Sequence, residues 1–256
     1  MAQKKKDEKK KMGIIGLGLF SRFFIPHLNP YYDIYVYDKE DYSAVAKKIN
    51  AKWATLEQVC SCEMVGLAVP VQYLEELLIT CKSYLKDASF VFDFSSVKMK
   101  PVNLMQKYLP RHVEILGTHP LFGPQSGKNG IEGLNIVVCP VRLKKYKSFV
   151  HFFSEKLMLN VLERTPEAHD RQMAYVQALT HFIGRAVNAM DIPDVEQKTQ
   201  AYQYLLEIKK NLGQDSYDLF LTIENENPYA KEIRESFIEE LHLLNQQLSE
   251  EDTSPK

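Results

Sequence analysis

Short apolar, β-branched segments alternate with amphipathic stretches through the first two thirds of the chain. The segments that predict strands are 13–16, 34–37, 64–69, 90–94, 114–116, 136–139 and 160–162. Strands that alternate with helices form a parallel sheet. The segments 64–69 and 90–94 are apolar at successive positions, as expected of strands that helices cover on both faces. The pattern predicts an α/β fold with a doubly wound, mostly parallel sheet.

After Thr165-Pro166 the apolar residues recur at helical spacing and no strand pattern is found. The first helical stretch carries apolar positions at 173, 176, 179, 181–183 and 187, and the second has them between 204 and 212. Another follows the break at Gly213, and the last runs from about Ala230 through Leu244. We predict a disordered basic tail over 1–11, an α/β domain over 12–165, an all-helical domain over 166–248 and a polar tail over 249–256. The apolar faces of such helices need a partner, so we expect a homodimer through the helical domain.

Composition and charge narrow the class of protein. With 45% hydrophobic and 25% charged residues, the chain has the composition of a globular protein. The net charge is -1, and the single dense basic run, Lys4 to Lys11, has no neighbouring aromatic residues for stacking. We interpret that run as a solvated tail rather than a nucleic-acid or nuclear-targeting segment. Because no long apolar stretch or signal peptide is present, we expect a cytoplasmic protein without membrane contact.

The four cysteines do not form a pattern typical of disulfides or zinc sites. Cys60 and Cys62 could hold a metal, but no matching Cys or His pair lies at a usual zinc spacing. In the cytosol these residues, with Cys81 and Cys139, would stay reduced. We expect buried, apolar thiols and no metal site.

A glycine-rich turn follows the first predicted strand. The sequence Gly16-Leu-Gly-Leu-Phe-Ser21 matches the dinucleotide-binding fingerprint of Rossmann domains, with Ser21 in place of the third glycine. Gly16 would permit the tight turn, Gly18 would let the backbone approach a pyrophosphate, and the next helix would direct N–H groups at the phosphates. The alternative is a glycine turn that binds nothing. We predict that the cofactor contacts Gly16, Leu17, Gly18, Leu19, Phe20, Asp38, Val69 and Pro70.

Asp38 indicates which dinucleotide this turn would bind. It closes the 34–37 segment, about 20 residues beyond the turn, where an acid accepts hydrogen bonds from both ribose hydroxyls and repels a 2′-phosphate. NAD is therefore expected rather than NADP, although Lys39 beside it weakens the preference. Two features depart from the fingerprint: Ser21 is bulkier than glycine, and Pro26 should end or kink the first helix early.

Two further segments place polar groups after predicted strands, where open α/β sheets bind ligands. They are Asp93-Phe-Ser-Ser-Val-Lys98 and the segment from Gly117 to Gly127, which contains His119. A histidine between a strand end and a loop rich in proline and glycine is held rigidly yet near solvent, which suits a general base. A structural loop histidine is the alternative.

Three motifs closely resemble the prephenate dehydrogenase family of tyrosine biosynthesis. They are Phe94-Ser-Ser-Val-Lys98, Thr118-His-Pro-Leu-Phe-Gly-Pro124 and His169-Asp-Arg-Gln-Met-Ala-Tyr-Val-Gln-Ala-Leu-Thr-His181, within a resemblance that runs from about Met12 to Asn227. The resemblance implies oxidative decarboxylation of prephenate to 4-hydroxyphenylpyruvate. Hydride passes to NAD, CO2 leaves, and the ring becomes aromatic.

The same resemblance assigns roles to individual residues. His119 matches the histidine that removes the hydroxyl proton as a neutral imidazole. Ser96 matches the serine beside it, and His181 matches a second histidine on a helix of the C-terminal domain, among the substrate-binding residues. Gln177 and Arg185 lie one turn before and after His181. Lys98 is expected to be structural or near the substrate, and His169 and Asp170 are expected to brace their helix.

The position that should bind the substrate carboxylate departs from the family pattern. Bacterial relatives carry an arginine five residues before the Asp of a Gln-Asp pair, and here, five residues before Asp215 of Gln214-Asp215, the residue is Lys210. Lysine keeps the charge but loses the bidentate fork. Lys210 or Lys209 could make a looser ion pair, Arg185 could replace it, or the substrate could be arogenate or an amino-substituted prephenate.

A non-catalytic NAD-binding homologue is a further alternative, since Lys210, Ser21 and Pro26 all depart from the pattern. It would leave Ser96, His119 and His181 unexplained. We also expect no fused chorismate mutase or ligand-binding regulatory domain, because few residues flank the predicted domains.

Overall fold

The computed structural model describes residues 9–86, 89–144, 146–212 and 215–252. The chain divides into two units, Met1–Glu167 and Ala168–Lys256. The division falls after Glu167, close to the boundary expected after residue 165.

The described part of the first unit contains one eight-stranded sheet. Its strands are β1 (Lys10–Ile15), β2 (Tyr32–Tyr37), β3 (Lys52–Trp53), β4 (Met64–Leu67), β5 (Phe90–Asp93), β6 (Glu114–Pro120), β7 (Asn135–Arg142) and β8 (Asn160–Glu163). They lie in the order β3-β2-β1-β4-β5-β6-β7-β8, and neighbours are parallel except β6 and β7. The first six strands have the order of a doubly wound Rossmann sheet, which confirms the predicted fold class.

Helices connect these strands and form the described part of the second unit. The first unit has α1 (Leu19–Leu28), α2 (Ser43–Lys48), α3 (Leu56–Cys60), a 3₁₀ turn (Val71–Tyr73), α4 (Leu74–Cys81), α5 (Met99–Tyr108), α6 (Tyr146–His151) and a π-helical turn (Phe152–Lys156). From Pro166 the chain forms α7 (Pro166–Met173), a second π-helical turn (Ala174–Leu179), α8 (Thr180–Ala189), α9 (Gln200–Leu212), α10 (Tyr217–Glu226) and α11 (Ala230–Asp252). No helix among the described residues is long and apolar enough to cross a membrane.

Successive residues of the central strands are buried in two separate hydrophobic cores. In β1, Ile14 belongs to one core and Ile15 to the other. In β5, Phe90 and Phe92 belong to the first core, while Val91 belongs to the second. Side chains of a strand point alternately to its two faces, so both faces of the sheet are covered, as the continuous apolar segments predicted.

Several boundaries differ from the sequence prediction. The two-residue strand β3 is too short to leave an alternating pattern and was not predicted. Lys10 and Lys11 belong to β1 instead of a disordered tail, because they pair with Tyr32 and Asp33 of β2. Helix α11 continues through 249–252, which were predicted as a polar tail. The remaining tail residues, 1–8 and 253–256, lie outside the described residues.

Pro26 does not end the first helix early. Helix α1 continues through it to Leu28. Pro26 itself is exposed, whereas Phe24, Ile25 and Leu28 are buried in the first core. Their burial offsets the one backbone hydrogen bond that proline cannot make.

The four cysteines are free and buried, as expected. Burial raises the pKa of the Cys62 thiol to about 11. The hydrogen bond with Cys81, together with burial, raises the pKa of the Cys60 thiol. Thiols of this kind stay protonated at neutral pH and behave as apolar core groups.

Candidate functional site

The turn after β1 is built so that only glycine fits its first position. Gly16 has φ +99°, and a Cβ there would lie 2.4 Å from the Ala68 carbonyl oxygen. Its N–H donates to the Tyr37 carbonyl oxygen at 2.8 Å. The turn is therefore held against both neighbouring strands, and Val69, one of the predicted cofactor residues, lies against it.

Ser21 is part of this turn and not a fault in it. Its hydroxyl is buried and donates to the Gly16 carbonyl oxygen at 2.7 Å. A third glycine would lack this hydrogen bond. The larger side chain, noted as a departure from the fingerprint, is thus accommodated by a bond within the turn.

Gly18 differs from Gly16, since the protein does not need a glycine there. It precedes α1 with an extended backbone (φ -71°, ψ -173°), and a Cβ would meet no atom within 4 Å. The N–H groups of the first turn of α1 receive no side-chain cap from it. Open space beside uncapped helical N–H groups is the geometry that binds a phosphate.

Asp38 lies against the glycine turn. Its Oδ2 accepts a hydrogen bond from the Leu17 N–H at 2.6 Å, and its Oδ1 accepts one from the Glu40 N–H at 3.2 Å. Leu17 therefore uses its N–H within the protein, and its side chain is fully buried. The Lys39 ammonium lies over the Tyr73 ring, 5.3 Å from the centroid. The carboxylate is thus fixed at the end of β2 beside the turn.

His119 is the penultimate residue of β6, so it lies at a strand end as expected, but it is buried and not near solvent. Strand β6 continues to Pro120 because β7 pairs with its last residues, including His119 with Val137. His119 is 5% exposed. Half-buried Ser96 follows β5, the parallel neighbour of β6, so both residues belong to the carboxyl edge of these two strands.

A buried ion pair stands beside these two residues. The Lys98 ammonium contacts the Asp93 carboxylate, and both side chains are 0% exposed. Lys98 also donates to the Thr118 carbonyl oxygen at 2.6 Å. Asp93 accepts hydrogen bonds from the N–H groups of Ser95 at 2.9 Å and Thr118 at 3.2 Å. The segment from Asp93 to Lys98 is therefore bonded both within itself and to Thr118 of β6.

An aromatic cluster joins α1 to the segments that follow β5 and β6. The Phe20 ring lies 5.3 Å from Phe94, and Phe24 lies 5.6 Å from Phe94 and 6.1 Å from Phe122. Rings at these distances and angles attract one another beyond simple burial. The cluster packs α1, and with it the glycine turn, against the segments that carry Ser96 and His119.

In the second unit, three of the predicted substrate-binding residues share one helical face, and two of them carry a buried polar atom without a partner among the described residues. Gln177 belongs to the π-helical turn, and His181 and Arg185 follow it on α8. Gln177 Oε1 and Arg185 Nε are buried without a hydrogen-bond partner in the described part of the chain. Such atoms are costly to bury and indicate a polar ligand. Val176, an apolar position of the predicted helical stretch, is 62% exposed, because the buried face carries Ala174, Ala178 and His181 instead.

Asp215 completes this cluster and was not predicted as a site residue. Its Oδ2 lies 3.8 Å from His181 Nε2, and its carbonyl oxygen accepts a hydrogen bond from Arg185 Nη2 at 2.7 Å. Burial lowers the pKa of His181, which Asp215 partly counteracts. Burial also raises the pKa of Asp215. The Gln214 position of the sequence motif lies outside the described residues.

Neither lysine of α9 has a contact with this cluster among the described residues. Lys209 donates to Asp191 Oδ1 at 2.9 Å and to the Ile192 carbonyl oxygen at 3.2 Å, while Lys210 is exposed. Arg185, the alternative carboxylate ligand, lies in the cluster with His181 and Asp215.

His169 and Asp170 hold the start of the second unit. Their side chains are wholly buried and lie 2.7 Å apart, from Nδ1 to Oδ1. Asn227 donates to the Asp170 carbonyl oxygen at 2.8 Å. These bonds connect α7 to the segment after α10, which supports a bracing role.

The fold and the glycine turn define a Rossmann-type nucleotide-binding protein with a helical second unit. A model described as the nucleotide-binding domain of prephenate dehydrogenase matches residues 28–149, and a model described as TYRAAT1-like, C-terminal domain, matches residues 186–255. Residues 28–149 are therefore similar to the nucleotide-binding domain of prephenate dehydrogenase.

Named relatives support this similarity, and a solved structure shares the fold. The chain is 30% identical to chloroplastic arogenate dehydrogenases 1 and 2 of Arabidopsis thaliana, over 89% and 87% of its length. It spans 37% and 65% of those two proteins. The crystal structure of A. aeolicus prephenate dehydrogenase with hydroxyphenyl propionate and NAD+ superposes with a TM-score of 0.74 at 22% identity, covering 97% of this chain and 93% of that one.

The lowered pKa of His181 predicts that acidification destabilises the protein. The unfolded chain binds a proton near the ordinary value of 6.5, whereas the folded imidazole takes one only at lower pH. This contribution to stability is complete above pH 6.5 and is lost as pH falls through and below that value. Thermal unfolding between pH 7.5 and 5.5, about one unit to either side, should show a steeper fall for the wild type than for His181→Asn. Parallel curves would contradict the prediction.

Proposed function

We propose that this chain is an NAD-dependent dehydrogenase that carries out oxidative decarboxylation of a cyclohexadienol of the prephenate and arogenate class. The observation that carries the proposal is the shared edge of the sheet. The glycine turn follows β1, and Ser96 and His119 belong to the ends of β5 and β6, which are joined to β1 through parallel pairing with β4. Open α/β sheets bind ligands at this edge.

The residues at the turn fit NAD. Gly18 leaves open space beside the N-terminus of α1 for the pyrophosphate, and Asp38 is fixed where a ribose would lie. A 2′-phosphate would meet the carboxylate of Asp38. When bound, NAD supplies a hydride acceptor. The structurally similar A. aeolicus prephenate dehydrogenase was crystallised in complex with NAD+.

In this proposal His119 is the general base. As a neutral imidazole it accepts the proton of the substrate hydroxyl while the carbinol carbon gives up its hydride. The C–C bond to the ring carboxylate then breaks, CO2 leaves, and the electron pair of that bond completes the aromatic ring. Ser96 hydrogen-bonds the imidazole or the substrate hydroxyl.

Two variants should separate proton transfer from cofactor binding. His119→Asn should lower kcat by about 100- to 10,000-fold with little change in the Kd for NAD, because general-base catalysis contributes that much. Gly18→Val should weaken NAD binding by about tenfold or more, because its side chain occupies the space expected for the pyrophosphate.

Calorimetric titration with NAD and steady-state rates measure both effects. Thermal unfolding is the control: a Cβ at position 18 meets no protein atom within 4 Å, so a Gly18→Val variant that melts like the wild type has lost NAD affinity and not its fold. Normal turnover by His119→Asn would remove the proposed base. Normal NAD affinity of Gly18→Val would place the nucleotide elsewhere.

We propose arogenate as the preferred substrate, with prephenate as the alternative. Arogenate carries an ammonium and a carboxylate on its side chain, where prephenate has a keto group and a carboxylate. The cluster of Arg185 and Asp215 offers a cation and an anion together, with Arg185 Nε still unpartnered. Arg185 would bind the carboxylate and Asp215 the ammonium. The Arabidopsis relatives are named arogenate dehydrogenases.

Asp215→Asn tests this choice of substrate. The ratio of kcat/KM for arogenate to that for prephenate should fall by about 10- to 100-fold, because a charge-assisted contact is worth roughly 1.5–3 kcal/mol. Asp218→Asn is the matched control, since Asp218 is an exposed acid in the first turn of α10. A wild-type enzyme that prefers prephenate, or an unchanged ratio in Asp215→Asn, would contradict the assignment.

We also propose that the chain forms a homodimer through the helices of the second unit. Residues 239–250 of α11 are all exposed. Leu241, Leu244 and Leu248 are 49%, 55% and 67% exposed, and with Phe237 they repeat at alternating spacings of four and three. This is the apolar seam of a coiled coil. An isolated helical segment of this length is marginal in water, so a second copy would cover the seam.

Leu244→Glu should convert the dimer into a monomer, because it places a charge in the centre of the seam. Sedimentation equilibrium of the full chain measures the mass. Ser249→Glu, which adds the same charge outside the seam, should remain dimeric. A monomeric wild type would contradict the proposal.

The cytoplasmic location stays a prediction, and both Arabidopsis relatives are named chloroplastic.

A further inference from the structure

Burying the ion pair of Asp93 and Lys98 carries a large desolvation free energy. Both side chains are 0% exposed, and removing two charges from water costs more than their attraction usually returns. A pair of apolar residues of similar volume would often be at least as stable. The pair therefore needs an explanation other than stability of the core.

The hydrogen bonds of the pair reach the peptide group that precedes His119 and the backbone of Ser95, the residue before Ser96. Lys98 Nζ donates to the Thr118 carbonyl oxygen, which belongs to the peptide bond between Thr118 and His119. Asp93 Oδ1 accepts from the Thr118 N–H, and Asp93 Oδ2 accepts from the N–H of Ser95, the residue before Ser96. The Thr118 hydroxyl in turn donates to the Asp93 carbonyl oxygen.

The sheet explains why side chains are needed at this point. The pairing of β5 with β6 ends at Asp93 and Gly117, after which the chain turns away through Ser95 and Ser96. The next residue of β6, Thr118, has no opposing β5 residue. The carboxylate and ammonium take the place of the missing strand and satisfy the N–H and C=O groups of Thr118. The stem of Lys98 passes beside Gly117, where a Cβ would lie 3.4 Å from Lys98 Cδ.

We infer that Asp93 and Lys98 are positioning residues that fix the His119 imidazole and the Ser96 hydroxyl for proton transfer. The inference rests on the proposed function, in which His119 is the base. The pair does not touch the substrate in this account. It holds the peptide group that precedes His119 and the N–H of Ser95, the residue before Ser96. A displacement of about 1 Å in a catalytic group can lower the rate about 100-fold.

Three variants separate positioning from stability. Lys98→Met and Asp93→Asn each leave one charge buried without its partner, so both should unfold at lower temperature. The double variant Asp93→Asn/Lys98→Met removes both charges and should recover most of the melting temperature. Its kcat should nevertheless stay about 10- to 100-fold below the wild type, with KM and the Kd for NAD changed less than about threefold, because the Thr118 carbonyl has lost its donor.

Lys107→Met is the matched control. Lys107 lies on α5, the helix that begins after Lys98, and forms an exposed ion pair with Glu75. The activity of this variant should equal that of the wild type. If the buried variants do not fold, Thr118→Val replaces them, since it keeps the shape and removes only the hydroxyl bond to Asp93. That variant should lower kcat several-fold at unchanged KM.

The possible failures are distinguishable. A wild-type chain without dehydrogenase activity, or with activity that His119→Asn leaves intact, overturns the proposed function. An active wild type together with a stable double variant of wild-type kcat overturns the positioning role alone, and so does a fully active Thr118→Val. Equal losses in kcat and in NAD affinity would mean a general disturbance of the fold and would also overturn it.

Discussion

Parallel pairing of β1, β4, β5 and β6 obliges the segments after these strands to leave the sheet at one edge, where the backbone ladder ends. Each departure leaves N–H and C=O groups that no strand can satisfy. Side chains supply the missing partners: Asp38 accepts from Leu17, Ser21 donates to Gly16, and Asp93 accepts from Thr118. The polar residues that seem dispensable in an apolar core are therefore those that shape the edge at which ligands bind.

The helical unit also contains an irregular element next to its polar cluster, a π-helical turn that changes the helical register. The π-helical turn Ala174–Leu179 inserts one residue into the helical repeat ahead of His181. Ala174 and Ala178 are then buried while Val176 is exposed, and Gln177 keeps a buried amide oxygen without a partner. Irregular helical turns of this kind occur often where function outweighs regular hydrogen bonding.

The sequence predicted the architecture well because continuous apolar segments and helical spacing depend on local composition. It could not predict contacts made by distant segments. Strand β6 reaches His119 only because β7 pairs with it, and Thr118-His-Pro120 carries no strand pattern of its own. Asp215 lies between α9 and α10 and approaches His181 of α8, so no spacing in the sequence connects the two residues. The pairing of Asp93 with Lys98 is equally hidden, because two charges five residues apart are ordinarily read as solvated.

The change from arginine to lysine at position 210 makes sense once the surroundings of Arg185 are considered. The Arg185 guanidinium lies 5.3 Å from the Phe220 ring centroid and 5.7 Å from that of Tyr217, and it donates to the Asp215 carbonyl oxygen. A guanidinium fixed by aromatic rings and one backbone bond loses little further freedom when it binds a carboxylate. The exposed ammonium of Lys210 would have to be ordered first. Under the proposed function, carboxylate binding has therefore passed from α9 to α8, and with Asp215 beside it the site favours a substrate that carries both charges.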